Sequence, residues 1–354
     1  MILSQFGWDE TRARQFTAYR ADGLTAARVT LEQKNLYTVV TAEVGEVPAM
    51  LAGRLYHVVE NREDLPVVGD WVAVRLVGEQ AVIHAVLHRT SKFSRQQAWR
   101  STGEQLVAAN IDTLFLVMGL DGDYNLRRLE RYLVQAVAGG AQPVVLLTKA
   151  DLCVETADRV DEVAGVAHGV AVHAVSAPTG VGIAALDRYL LPGRTLALLG
   201  SSGVGKSTLL NVLLGNATQR TQEVRETDSH GRHTTTHRQL FLLPSGAMII
   251  DTPGMREMQL WADDDDLQEA FTDIESLAAC CRFVDCRHEH EPGCCVRDAL
   301  QSGTLDDRHY DHYQQLRREL QYLQLRLHQS AAQAERSKWK QVRKYQKEIK
   351  KRKP

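Results

Sequence analysis

Over the first hundred residues, short segments of alternating apolar and polar positions follow one another closely. Ala26–Leu31, Leu36–Ala42, Ala49–Tyr56, Asp70–Leu76 and Ala81–Leu87 are rich in β-branched residues. Turn signals at Val44-Gly45-Glu46, Pro66-Val67-Val68-Gly69-Asp70 and Val77-Gly78-Glu79 divide them. About five short strands within about seventy residues predict a small barrel, with a half-open sandwich as the alternative.

From Asn110 the pattern changes. Thr113–Met118 is a continuous apolar run, as a strand buried on both faces requires, and Leu126–Val137 has helical spacing. A strand at Pro143–Leu147, a helix near Ala157–Ala167, a strand near Val170–Val175 and a short helix after Gly182 follow. The strand Thr195–Leu199 then runs into a helix beginning near Lys206. Alternation of this kind predicts a doubly wound parallel sheet. After the four aspartates at 263–266 the strand signal disappears. Helical pieces follow, then a Cys/His cluster, then a long helix from about Leu305 to Lys350 with one apolar stripe at Leu316, Leu320, Leu323 and Leu327. The expected organisation is multidomain α/β: a barrel over 1–100, an α/β domain over 101–262 and a helical domain over 263–354.

Composition adds limits. At 354 residues, 44% hydrophobic and 24% charged, the chain has material for two or three globular cores. No run approaches the eighteen apolar residues of a membrane span, and Met1–Glu10 lacks the features of a leader, so the cytosol is the expected compartment. Five of the six cysteines fall between Cys280 and Cys295, which in a reducing compartment points to metal and not to crosslinks. The net charge of −2 conceals a basic tail. Residues 335–354 carry ten Lys or Arg against two Glu, a local +8, so the remainder sums to −10. That tail, with Trp339 and Tyr345 among its cations, suggests a polyanionic partner.

The sharpest chemistry lies at Gly200-Ser201-Ser202-Gly203-Val204-Gly205-Lys206-Ser207-Thr208, between an apolar strand and a helix, which is the setting of a phosphate-binding loop. Its glycines let backbone N–H groups face phosphates, and the helix N-terminus adds its positive end. Lys206 is expected at the β- and γ-phosphates and Ser207 at Mg²⁺. Downstream, Met248-Ile249-Ile250-Asp251-Thr252-Pro253-Gly254 is an apolar strand ending in Asp-x-x-Gly. Asp251 would join the Mg²⁺ shell and the Gly254 amide would meet a γ-phosphate. The polar stretch Gly231-Arg232-His233-Thr234-Thr235-Thr236 between the two is the natural place for a switch threonine, with Thr235 the expected Mg²⁺ ligand and Thr234 and Thr236 the alternatives.

Upstream, Thr148-Lys149-Ala150-Asp151 and Ser176-Ala177 each follow an apolar strand and resemble the guanine-reading motifs Asn-Lys-x-Asp and Ser-Ala. The Asp151 carboxylate could accept from guanine N1 and N2, which adenine does not offer, and the Ala177 amide could meet O6. Thr148 replaces the usual Asn, which weakens the support that side chain gives. These motifs precede the phosphate loop, the reverse of the ordinary order, so the domain looks circularly permuted. Domain termini that lie close together make this tolerable. An ATP-using phosphate-loop enzyme is the disfavoured alternative, and an RNA-binding scaffold in which hydrolysis is incidental is another.

Cys281, Cys286, His288 and Cys294 are spaced C-x₄-C-x-H-x₅-C, a donor set suited to one closed tetrahedral, structural Zn²⁺. Cys280 and Cys295 are adjacent alternates, Cys153 is expected in the core, and His290 is expected in solvent.

The barrel, the permuted motif order, Cys281-Arg282-Phe283-Val284-Asp285-Cys286-Arg287-His288 followed by Glu291-Pro292-Gly293-Cys294, and the basic helix together resemble the ribosome small-subunit-dependent GTPases of the RsgA (YjeQ) family. The resemblance spans essentially the whole chain. It implies an oligonucleotide-binding (OB) barrel, a permuted GTPase domain and a zinc-binding helical domain. The activity it implies is hydrolysis of GTP to GDP and phosphate, stimulated by the small ribosomal subunit and acting late in that subunit's maturation. The implied partners are that subunit with its rRNA, no membrane is involved, and the chain is expected to be a monomer. The family's catalytic histidine, in a Gly-x-His-Thr-Thr-Thr segment, corresponds to His233. Met255 stands where many GTPases carry a water-orienting Gln.

Overall fold

The computed structural model describes residues 3–33, 36–58, 64–96, 104–215, 238–251 and 261–327. The expected switch residues His233, Thr234, Thr235, Thr236, Gly254 and Met255, and the basic tail, lie outside the described residues.

Two short helices, α1 (Glu10–Gln15) and α2 (Thr17–Ala21), precede a five-stranded barrel of β1 (Thr25–Gln33), β2 (Leu36–Thr41), β3 (Gly45–Leu51), β4 (Trp71–Val77) and β5 (Gln80–Val86). The barrel closes in the order β1-β2-β3-β5-β4-β1. All neighbours are antiparallel except β3 and β5. This is the topology of an OB barrel, and the half-open sandwich is not formed. The expected strand Ala49–Tyr56 divides. Its extended part stops at Leu51, and α3 (Gly53–Val58) follows. The helix lies beside β5, and Leu55 packs against the barrel's buried apolar cluster.

A hairpin of β6 (Lys92–Gln96) and β7 (Glu104–Ala109) leads into the α/β layer. There β8 (Thr113–Gly119), β9 (Gln142–Thr148), β10 (Ala171–Ala174), β11 (Thr195–Leu199) and β13 (Met248–Asp251) run parallel in the order β10-β9-β8-β11-β13. The helices α4 (Leu126–Gly139), α5 (Thr156–Val166) and α6 (Lys206–Leu214) flank them. All of β8 and β11 is buried, as both-face coverage demands.

The antiparallel strand β12 (Arg238–Leu242) completes the layer, and its other edge pairs with β1 of the barrel through Leu31↔Gln239 and Glu32↔Arg238. Barrel and α/β layer therefore share one eleven-stranded sheet. Arg28, fully buried on β1, sits at this junction. It donates to the carbonyl of Phe6, to the Gly69 carbonyl (3.3 Å) and to Thr195 Oγ1 (2.8 Å), and its guanidinium lies 5.2 Å from the Trp71 ring centre. Burial, aided by nearby Arg12, lowers its pKa to about 9, so it remains a cation at neutral pH.

The C-terminal region comprises α7 (Asp264–Ala270), α8 (Thr272–Ala279), α9 (Cys295–Ser302) and α10, helical over 307–327. Asp263 caps α7 with a reciprocal capping box to Asp266. Leu316, Leu320 and Leu323 of the expected stripe are buried, and Leu327 is half-buried. Leu316 and Leu320 pack with Phe271, Ile274 and Tyr313, and Val134 of α4 joins the same core. Among the described residues, no helix is long and apolar enough to cross a membrane.

Candidate functional site: a nucleotide crevice and a metal cluster

In an open parallel sheet the ligand crevice lies beyond the carboxyl ends of the strands. Every expected nucleotide motif that is described falls there: 148–151 at the end of β9, 176–177 after β10, 200–208 after β11, and Asp251 at the end of β13. The phosphate loop needs its glycines for two different reasons. A Cβ on Gly200 would stand 2.3 Å from the Val117 carbonyl oxygen, so the loop can leave β11 only without a side chain. Gly205 has φ +100°, in the region that favours glycine, and turns the chain into α6. The Lys206 ammonium is half-buried and folds onto the loop, donating to the carbonyls of Gly200 (2.6 Å) and Ser201. Ser207 and Thr208 are exposed at the helix start.

Thr148 is buried, and its hydroxyl donates to the Val204 carbonyl at 2.6 Å. The residue that replaces Asn therefore keeps a direct tie between base turn and phosphate loop. Lys149 adopts φ +60° and its ammonium meets Asp121 Oδ2 at 2.6 Å. That ammonium, ahead of other contacts, holds the Asp121 pKa below the usual carboxylate range. Next to it, Ser201 Oγ donates to Asp123 at 2.5 Å, and Asp123 pairs with Arg128 at 2.8 Å. Asp121 and Asp123 were not foreseen, because two aspartates in a Gly-Asn loop read as ordinary turn residues. The Ala150 amide donates to the Val175 carbonyl (3.2 Å), which brings the base turn against the Ser176-Ala177 segment. Ser176 is buried, Ala177 half-buried and Asp151 exposed at the crevice edge.

The second cluster brings Cys281, Cys286, His288 and Cys294 together, one donor atom from each lying within 4.8 Å of the others. Cys281 Sγ and Cys294 Sγ are 3.9 Å apart. His288 Nδ1 is 3.6 Å from the first and 3.3 Å from the second. Tetrahedral Zn²⁺ with Zn–S of about 2.3 Å and Zn–N of about 2.0 Å requires S···S near 3.8 Å and S···N near 3.5 Å. The donors fit that ion. His288 at φ +63° turns its ring into the cluster. Burial raises the Cys281 thiol, but the Val296 and Cys295 amides at the start of α9 outweigh it and lower the pKa, which favours the thiolate that metal needs. Cys280 and His290 are exposed outside the cluster, and Cys295 Sγ instead meets the Cys280 carbonyl at 3.0 Å. Cys153 is half-buried and packs against the main core.

Residues 86–261 match the family model described as RsgA GTPase. A small ribosomal subunit biogenesis GTPase RsgA from Opitutus terrae is 47% identical over 353 residues, covering 97% of this chain and 96% of that protein. The chain belongs to the RsgA GTPase family. An RsgA of the same description from Xylella fastidiosa (strain M23) is 49% identical over 300 residues, covering 83% of this chain and 87% of its own. Among solved structures, YjeQ from Thermotoga maritima superposes with a TM-score of 0.64 at 27% identity, covering 84% of this chain and 98% of that one. YloQ, a circularly permuted GTPase, shares the fold at a TM-score of 0.61. Like other RsgA proteins, this chain is a GTP-hydrolysing enzyme with its motifs in permuted order.

Proposed function

We propose that this chain hydrolyses GTP in the assembly of the small ribosomal subunit, that the subunit stimulates the reaction, and that the step falls late in maturation, in the cytoplasm. The observation that carries the reading is the Thr148–Val204 hydrogen bond, which ties a guanine-type turn after β9 to a phosphate loop after β11, across the end of the intervening β8. In the proposed complex, the amides of Gly200–Thr208 surround the phosphates and Lys206 turns from its loop carbonyls to the β- and γ-oxygens. Thr148, Lys149, Ala150, Asp151, Ser176 and Ala177 hold the base, with the Asp151 carboxylate accepting from guanine N1 and N2. Ser207, Thr235 and Asp251 offer the hard oxygen donors that Mg²⁺ takes, and the bound ion would neutralise charge building on the phosphates. His233 orients the water that attacks the γ-phosphorus as the bond to the GDP oxygen breaks, and the Gly254 amide meets the γ-phosphate.

Phosphoryl transfer depends mainly on positioning and charge stabilisation, so slow intrinsic turnover raised by a partner is expected. The Cys281, Cys286, His288 and Cys294 set would hold one structural Zn²⁺, and the barrel and basic tail would meet rRNA, the chain acting as a monomer. The test is GTP turnover by the full chain with and without purified small subunits, beside a Lys206→Ala control. A clear rise with subunits that the control lacks supports the reading; turnover indifferent to subunits overturns it.

A further inference from the structure

Between the GTPase domain and the helical region, a second set of metal-ligating atoms converges that shares no residue with the crevice motifs or the cysteine cluster. His168 follows α5, Asp273 lies in the first turn of α8, and His309 is on α10. Asp273 Oδ2 is 3.0 Å from His309 Nε2 and 3.3 Å from His168 Nε2, and one donor atom from each residue lies within 4.8 Å of the others. Ligand atoms around a small tetrahedral ion stand about 3.3 Å apart when metal–ligand bonds are about 2.0 Å.

Three further observations single this cluster out from an ordinary ion pair. The buried His309 ring is backed by Glu130 of α4, which holds Nδ1 and so aims Nε2 at the cluster. A carboxylate behind a ligating imidazole is the usual outer-shell arrangement at metal sites. Glu130 is itself held on its other oxygen by His312 Nδ1. Asp273 Oδ1 is buried with no hydrogen-bond partner, an acceptor that the protein leaves for something else to satisfy. Finally, the His168 side chain is 43% exposed, which leaves a path for an ion and room for a water ligand.

We propose that His168, Asp273 and His309 form a second metal site, open on its solvent side, for a divalent first-row transition ion such as Zn²⁺ or Co²⁺. Two imidazoles and one carboxylate suit those ions and not Mg²⁺ or Ca²⁺, which prefer all-oxygen shells. Binding releases the proton from His309 Nε2 to solvent, the ion takes that position, and Asp273 supplies the carboxylate. The ligands come from both sides of the joint, so a bound ion clips the helical region to the GTPase domain. The assignment does not depend on nucleotide or on the ribosome.

The full chain, carrying one zinc per molecule, is titrated with Co²⁺ and followed by absorption, metal content and melting temperature. A second equivalent should bind with visible d–d bands but without the near-ultraviolet thiolate-to-cobalt band that a cysteine site produces, and it should raise the melting temperature. His168→Ala, a change at an exposed position, should take up no second equivalent while keeping its zinc and the parent's melting temperature without cobalt. Glu130→Gln should weaken the second equivalent by about 10–100-fold. The proposal is overturned if the parent binds one metal only, if His168→Ala binds the second unchanged, or if the second brings a thiolate band.

Discussion

The GTPase domain is joined to its two neighbours by different chemistry. At the barrel, the joint is main chain: β12 pairs with β1, and Arg28 threads through the seam to carbonyls and a hydroxyl from three parts of the fold. At the helical region, the joint is side chain. Glu130 is held between His309 and His312, Asp273 reaches His309 and His168, and Arg131 meets Glu319 through two hydrogen bonds of 2.7 Å each. Backbone pairing does not titrate, whereas a histidine–carboxylate set does. The barrel joint therefore rests chiefly on pairing that does not titrate, and the helical joint on groups that respond to protons and, on the proposal above, to metal.

The largest expected effect tests the barrel seam. Arg28→Met would strand several buried acceptors at once, each costing about 1–3 kcal/mol, so the full chain should lose roughly 3–5 kcal/mol in denaturant unfolding. A loss under about 1 kcal/mol would show that the strand pairing alone holds the seam, and the contrast between the joints would sharpen further.

A smaller effect belongs to the helical joint. Burial alone would lower the His309 pKa, but Asp273 and Glu130 raise it to about 9. Its contribution is thus fully present below the ordinary value near 6.5 and is lost as pH rises through about 9. Against burial, His309 and His312 lower the Glu130 pKa, and His309 and His168 lower that of Asp273, so their contribution is present above the ordinary carboxylate range and is lost as pH falls through their depressed folded values. In protein carrying one metal per chain, amide protection in α4 and α10 should decline between pH 6.5 and 9 by an equivalent of roughly 1–2 kcal/mol. That is less than full linkage, because solvent reaches His168 and Asp273. His309→Gln should flatten the decline; an unchanged slope would place the titration elsewhere.

The smallest effect returns to the barrel seam. Glu32 pairs with Arg238 at 3.0 Å beside the β1–β12 ladder, yet burial outweighs Arg238 and raises the Glu32 pKa. The charge is not favoured by folding, so Glu32→Gln should cost under about 1 kcal/mol by thermal melting. A larger loss would mean that the seam also depends on side-chain charge.

What was legible in the chain follows the same division. Buried parallel strands carry uninterrupted apolar runs, so Thr195–Leu199 and the core of β8 and β9 could be read almost to the residue. The phosphate loop and the cysteine cluster could be read because their chemistry is local, packed into nine and fourteen residues. The helices α1 and α2, at six and five residues, are too short to show a period. β12 alternates poorly because it lies between two domains. Nothing in the alternation of Ala26–Leu31 sets Arg28 apart, because β1 is buried over five consecutive positions only where the domains meet. Glu130 reads as a flaw in an amphipathic helix until His309, 179 positions away, is brought against it.

The pairing of β12 with β13 has a mechanical reading. The pair is an antiparallel hairpin whose open end is marked by Gln239↔Asp251, and one step away Arg238 lies opposite Glu32 of the barrel wall. The chain segments that carry the expected switch residues, 231–236 and 252–255, depart from that same open end. The hairpin is thus an axle shared by two wheels: a twist imposed on β1 would pass through its ladder with β12 to the two strands whose outer ends lead toward those expected switch segments.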